Sequence, residues 1–156
     1  MKLIHIYINA LRLPKKQARI FLNKTTLTDT LMYLFSLVII INLPGFLNVF
    51  SGNTEADGLF IVQYLILGPF FAAFSILAGI SIISSVLVGI AMMARRKLKY
   101  QYLWKMAAFS LPLPILFAFF ADILLNKDWF TSVIFLVVFF IIHIKMIMDF
   151  PKRKHK

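Results

Sequence analysis

Four stretches of this chain contain no Asp, Glu, Lys or Arg: Thr30 to Phe50, Leu59 to Ala94, Met106 to Ala121 and Phe130 to Ile144. A bilayer core is crossed by about 20 helical residues, and a segment in lipid must pair its own backbone N–H and C=O groups, which a helix does. Hydrophobic residues make up 61% of the 156 and charged residues 15%, against about 45–50% and 25% in soluble domains. A soluble globule of this size leaves too much of its chain at the surface to hide so many apolar side chains. An ordinary cytosolic enzyme, a disordered tail and a secreted disulfide scaffold are therefore excluded. With no Cys, thiolate nucleophiles and zinc–thiolate clusters are excluded too. The expected fold is all-α, an integral membrane four-helix bundle.

The second run is too long for one ordinary span, since Leu59 to Ala94 as a single helix would measure about 54 Å. It reads either as a hairpin of two short spans or as an outer stub followed by one span. Gly68-Pro69 resembles a helix start, because proline suits the first turn, where its missing N–H costs nothing. A hairpin would also carry Arg95, Arg96, Lys97 and Lys99 to the opposite side. The stub reading is preferred, with 59–67 as an outer interfacial segment. The spans are then about 27–50, 69–94, 104–125 and 129–148, inside a 27–148 domain, with Asp122 at the outer interface.

Charge sets the direction. Of the 17 basic residues, 16 fall on one side: before the first span, between the second and third, after the fourth, or at the inner ends of the third (Lys105) and fourth (Lys145); only Lys127 lies on the other side, with Glu55, Asp57, Asp122 and Asp128. Cytoplasmic loops carry the excess of Lys and Arg, so both termini are expected in the cytoplasm. The +11 net charge is thus explained by juxtamembrane topology, and nucleic acid is not an expected partner. The first span is not read as a cleaved signal peptide, since no small-x-small site follows it.

Segment 1–26 reads as a basic amphipathic arm. Leu3, Ile4, Tyr7, Ile8 and Leu11 share one helical face, and after Pro14 so do Ala18, Phe21 and Leu22. This suggests a helix lying at the interface, its cations toward anionic lipid; the alternative is a solvated arm that only enforces topology. Thr26-Leu27-Thr28-Asp29 has the form of a capping box at the head of the first span. Tyr100, Tyr102 and Trp104 form an inner aromatic belt and Trp129 an outer one. Residues 149–156 form a basic tail.

Chemistry-bearing candidates are few. Ser75, Gly79, Ser81, Ser85 and Gly89 place small residues at close spacing, which lets helices approach in lipid, either inside the bundle or between two copies. Pro44, Pro69, Pro112 and Pro114 mark kinks, or else broken helices of the kind that line a substrate path. His143 and Asp122 are the candidate intramembrane polar site, with Asp122 expected to pair with Lys127 or cap a helix. Asp149 lies one turn along from Lys145. Lys15, Lys16, Arg19, Arg95, Arg96, Lys97 and Lys99 are the candidate lipid- or partner-binding cations. No catalytic motif, cofactor loop or metal-ligand cluster is present.

Leu13-Pro14-Lys15-Lys16, and the block Arg95 to Lys105 running into Phe109-Ser110-Leu111-Pro112, resemble the bacterial family known as domain of unknown function 1189, some of whose members are labelled maltodextrin-utilisation proteins. The likeness covers about a third of the chain. It implies a bacterial plasma-membrane protein, Gram-positive by the family's usual source. Members carry a sizeable extracellular insert after the first span, where this chain has only Ser51 to Gly58, so any work done by that insert is not done here. No catalytic residue carries over. The expected function is a non-catalytic accessory or scaffold subunit of an envelope or transport complex, contacting anionic lipid and other membrane subunits or itself. A small homo-oligomeric transporter or channel is the alternative, and a lipid-acting enzyme ranks third for want of a polar cluster.

Overall fold

The computed structural model describes residues 2–51, 58–125 and 128–151. Among them are seven helices and no strand: α1 Lys2–Leu11, α2 Lys16–Asn23, α3 Leu27–Phe50, α4 Gly58–Met93, α5 Tyr100–Ser110, α6 Pro112–Leu125 and α7 Asp128–Met148. Four helical stretches are long and apolar enough to cross a membrane: Leu27–Phe50, Ile61–Met93, Tyr100–Leu124 (α5 and α6 together) and Trp129–Met148.

The head of α3 forms as its sequence predicts. Thr26 accepts the Asp29 N–H at 3.1 Å, and the Asp29 carboxylate reaches back to the Thr26 N–H, satisfying two donors that a helix start leaves over. Lys2 adds an ion pair to the same carboxylate at 2.7 Å, so the cap also ties down the start of α1.

One helix boundary needs correction, and the amphipathic N-terminal segment does more than lie at the surface. First, α4 is one 36-residue helix with Pro69 inside it, so 59–67 is the first part of that helix and no helix starts at Pro69. Proline removes a single backbone bond and the rest of the ladder continues, as neighbouring helices in membrane proteins commonly permit. Pro44 likewise sits inside α3, where Asn42 Nδ2 bonds the Val38 carbonyl at 2.8 Å. Only the third span is interrupted, at Leu111 between α5 and α6.

Second, the N-terminal segment belongs to the core. α1 packs on α2, α3, α5 and α6, and α2 on α5. Ile6, Ala10, Leu13, Ala18 and Leu22 are buried in one cluster with Tyr33, Phe109, Phe139 and Met146. The face grouped from sequence is mostly the outer one: Leu3, Ile4, Ile8 and Leu11 are exposed. Both sides of α1 are apolar, and close packing selects the side with the smaller Ala10. Tyr7 joins the two faces. Its hydroxyl donates to Ser36 Oγ at 2.8 Å, Ser36 donates to the Tyr33 carbonyl at 2.8 Å, and the Tyr7 and Tyr33 rings lie 4.7 Å apart. Burial raises the Tyr7 phenol above its ordinary pKa.

α4 turns into the third span through a left-handed residue. Arg95 has φ 54°, its N–H bonds the Met92 carbonyl at 2.9 Å, and the Arg96 N–H bonds the Ala91 carbonyl at 2.8 Å. That is a Schellman ending, with arginine where glycine is usual. The following loop brings Tyr100 and Trp104 beside Ser81, whose carbonyl and hydroxyl they reach at 3.3 and 3.2 Å. From Ser81, α4 continues to Met93, about 18 Å further along its axis, with Leu87 and Ala91 still buried in the core.

Candidate functional site

Three basic segments that are remote in sequence converge at one end of the bundle. Arg19 of α2 reaches the end of α7, with Nη1 donating to the Met146 carbonyl at 3.0 Å and Nη2 to the Asp149 carboxylate at 2.8 Å. Its guanidinium also lies 5.7 Å from the centre of the Phe150 ring, a cation–π distance. Arg96, from the loop after α4, donates to the Phe150 carbonyl. Lys105 of α5 donates to the Thr25 carbonyl at 2.7 Å. Tyr102 and Phe150 pack edge to face, with centroids 5.0 Å apart.

Two depressions flank this aromatic pair. One, of about 300 Å³, lies among Lys16, Arg19, Ile20, Asp149 and Pro151; the other, of about 380 Å³, lies among Lys97, Lys99, Gln101 and Lys105. Both share Asn23, Tyr102 and Phe150 as walls.

The seven cations grouped from sequence divide here by role. Lys15, Lys16, Lys97 and Lys99 are exposed and available to an external anion. Arg19 is only 6% exposed and bridges α2 to α7, so it is a structural residue rather than a surface cation. Arg96 is half-buried and holds Phe150, while Arg95 occupies the left-handed turn. Asp149 is taken by Arg19 rather than by Lys145, because Arg19 offers a planar fork of donors from a fixed helix. Lys105, Asn23, Tyr102 and Phe150 were not grouped with the cations from sequence. The one signal available was the three-residue spacing of Tyr102 and Lys105, which puts both on one face of α5.

The remaining candidates do not form a site. His143 is fully buried, its ring stacked on Phe139 with centroids 4.1 Å apart. Nδ1 lies 2.8 Å from the Phe139 carbonyl, which can only accept, so the ring proton sits there. Nε2 lies 3.3 Å from Ser110 Oγ, whose hydroxyl also approaches the Ala107 carbonyl at 3.0 Å. Here the histidine fastens α7 to α5. Asp122 is exposed on α6, and Lys127 lies outside the described residues. The small-residue stripe is not the packing face of α4: Ser75, Ser85 and Gly89 are exposed, and a Cβ at Gly79 or Gly89 would meet nothing. The side that packs carries Ala73, Ile80, Ser84, Leu87 and Ala91, and of the stripe Ser81 alone bonds across to α5. Among the described residues, no three His, Cys, Asp or Glu side chains come together to hold a metal.

No family model, curated protein or solved structure matches this chain.

Proposed function

We propose that this chain is a non-catalytic, multi-pass protein of the bacterial plasma membrane, with its basic end in the cytoplasm, acting as an accessory or scaffold subunit of an envelope or transport complex. One observation carries the reading: among the described residues, the buried histidine and the buried arginine are both spent on joining helices. His143 and Ser110 join α7 to α5, and Arg19 joins α2 to α7. What remains for other molecules is the outer surface, apolar along the spans and basic at one end. The segregation of Lys and Arg supports the orientation, and the likeness to the bacterial family supports the compartment. α3 and α4 run unbroken through Pro44 and Pro69, so a path lined by broken helices would have only the interruption of the third span at Leu111 to use.

Mild-detergent extraction from native membranes, with mass determination and identification of bound proteins, tests the role. Foreign subunits in fixed stoichiometry support it. A homo-oligomer that passes ions or solutes in proteoliposomes replaces it with transport. The orientation is tested by Lys97→Cys in this cysteine-free chain: labelling by an impermeant thiol reagent from outside intact cells reverses it.

A further inference from the structure

We propose that the depression between Lys97, Lys99 and Lys105 binds the phosphate of an anionic lipid head group or of a soluble phosphate ester. The inference rests on the reading of the chain as membrane-embedded and assigns a ligand class to its basic end.

Charge makes the first case. The larger depression is walled by three lysines and, among the described residues, by no carboxylate. Asp149, the nearest described acid in the neighbouring depression, is already held by Arg19. The first turn of α5 begins at Tyr100, beside Lys99 and with no side-chain cap, so the positive end of a helix adds to the three cations rather than offsetting them. An anion relieves this concentration of like charge, most strongly in a recess partly shielded from water.

Preorganisation makes the second. Lys105 is not a loose surface side chain, because its bond to the Thr25 carbonyl fixes the ammonium at the wall. An ammonium has three donors and this bond uses one. Gln101 and Asn23 supply neutral side-chain amides on the same walls, suited to hydroxyl or ester oxygens. The volume of about 380 Å³ exceeds one water's share of the liquid roughly tenfold, leaving space for a whole head group.

Position favours the lipid as the source. Tyr102 forms one wall, and Tyr100 and Trp104 flank it along α5, the amphipathic rings that sit at head-group level. Leu98 and Phe150 supply an apolar wall against which the glycerol end of a lipid can lie.

Native mass spectrometry of the full chain in detergent tests this, with phosphatidylglycerol, phosphatidylcholine and sn-glycerol 3-phosphate as probes. The wild type is expected to retain one phosphatidylglycerol in preference to phosphatidylcholine. Lys97→Gln with Lys99→Gln is expected to weaken that binding by roughly fivefold per cation, and Lys97→Arg with Lys99→Arg to keep it. Both lysines are exposed, so unchanged thermal melting shows that the variants fold. Displacement of the lipid by sn-glycerol 3-phosphate assigns the site to a soluble ester, and failure to displace assigns it to the lipid. Equal retention of both lipids, or retention indifferent to the Gln pair, overturns the proposal. The wild type's fractionation with membranes is read separately, so loss of lipid selectivity alone leaves the membrane reading standing.

Discussion

Arg19 and Asp149 lie 130 residues apart in sequence and 2.8 Å apart in space. This pair closes the basic end of the bundle, joining the second helix to the last. Arg19→Gln is expected to lower thermal stability in detergent. Loss of the charge-assisted bond to the buried Met146 carbonyl costs about 1.5–3 kcal/mol. The Asp149 side chain is 45% exposed, so the ion pair itself contributes less, under about 1 kcal/mol after solvent screening. A double-mutant cycle with Asp149→Asn separates the two parts; a coupling well above that figure contradicts the partition.

Tyr33 offers a test with opposite signs. Its ring is buried between Tyr7 and Phe109, with centroids at 4.7 and 5.3 Å, yet its hydroxyl is buried without a hydrogen-bond partner. Tyr33→Phe removes that unsatisfied group and is expected to raise stability by up to about 1–3 kcal/mol, and the melting temperature with it. Tyr33→Ala opens a cavity and should cost about 3–5 kcal/mol. A melting temperature that falls in Tyr33→Phe shows that the hydroxyl has a partner.

Glycines on α3 and α4 should also respond in opposite directions. A Cβ on Gly45 would collide with the Tyr64 hydroxyl, whereas one on Gly79 meets nothing. Gly45→Ala is expected to destabilise by about 1 kcal/mol, the lower end of overpacking costs, because the far end of a tyrosine can shift. Gly79→Ala should stabilise by about 0.5–1 kcal/mol through helix propensity. Parallel melts of the two variants decide it, and equal shifts would mean that the helices are not in this register.

His143 separates packing from transport. His143→Phe keeps a ring stacked on Phe139, and Ser110 keeps the Ala107 carbonyl, so the cost should be that of modest overpacking, about 1–3 kcal/mol. His143→Ala leaves a cavity and should cost about 2–4 kcal/mol. Solute flux in proteoliposomes that is abolished equally by both substitutions would instead make His143 part of a conduction path.

The long apolar runs made four spanning helices legible in the sequence, and the Thr26–Asp29 box made the start of α3 legible to the residue. The docking side of α1 was not, because Ile6 and Ala10 on one face and Ile4 and Ile8 on the other are equally apolar. Pro69 and Gly68 imitate a helix start, and only the unbroken ladder around them shows that α4 runs through. Arg19 reads in sequence as one more cation among topological cations. Its burial depends on where α7 ends, a long-range fact with no local signature. The lysine-walled depression was half visible: Lys97 and Lys99 stood out as charges, but Lys105 joins them only through the fold of the loop before α5.

The seat of α1 bears on how the protein is made. α1 rests against Phe109 and its neighbours, and Arg19 of α2 bonds Met146 and Asp149, all of them later in the chain. Since chains emerge from the ribosome N-terminus first, Arg19 must wait for its partners until Met146 and Asp149 have been translated. An earlier segment is thus completed by a much later one, and removing Met146 to Asp149 should loosen α2 as well as the end of α7.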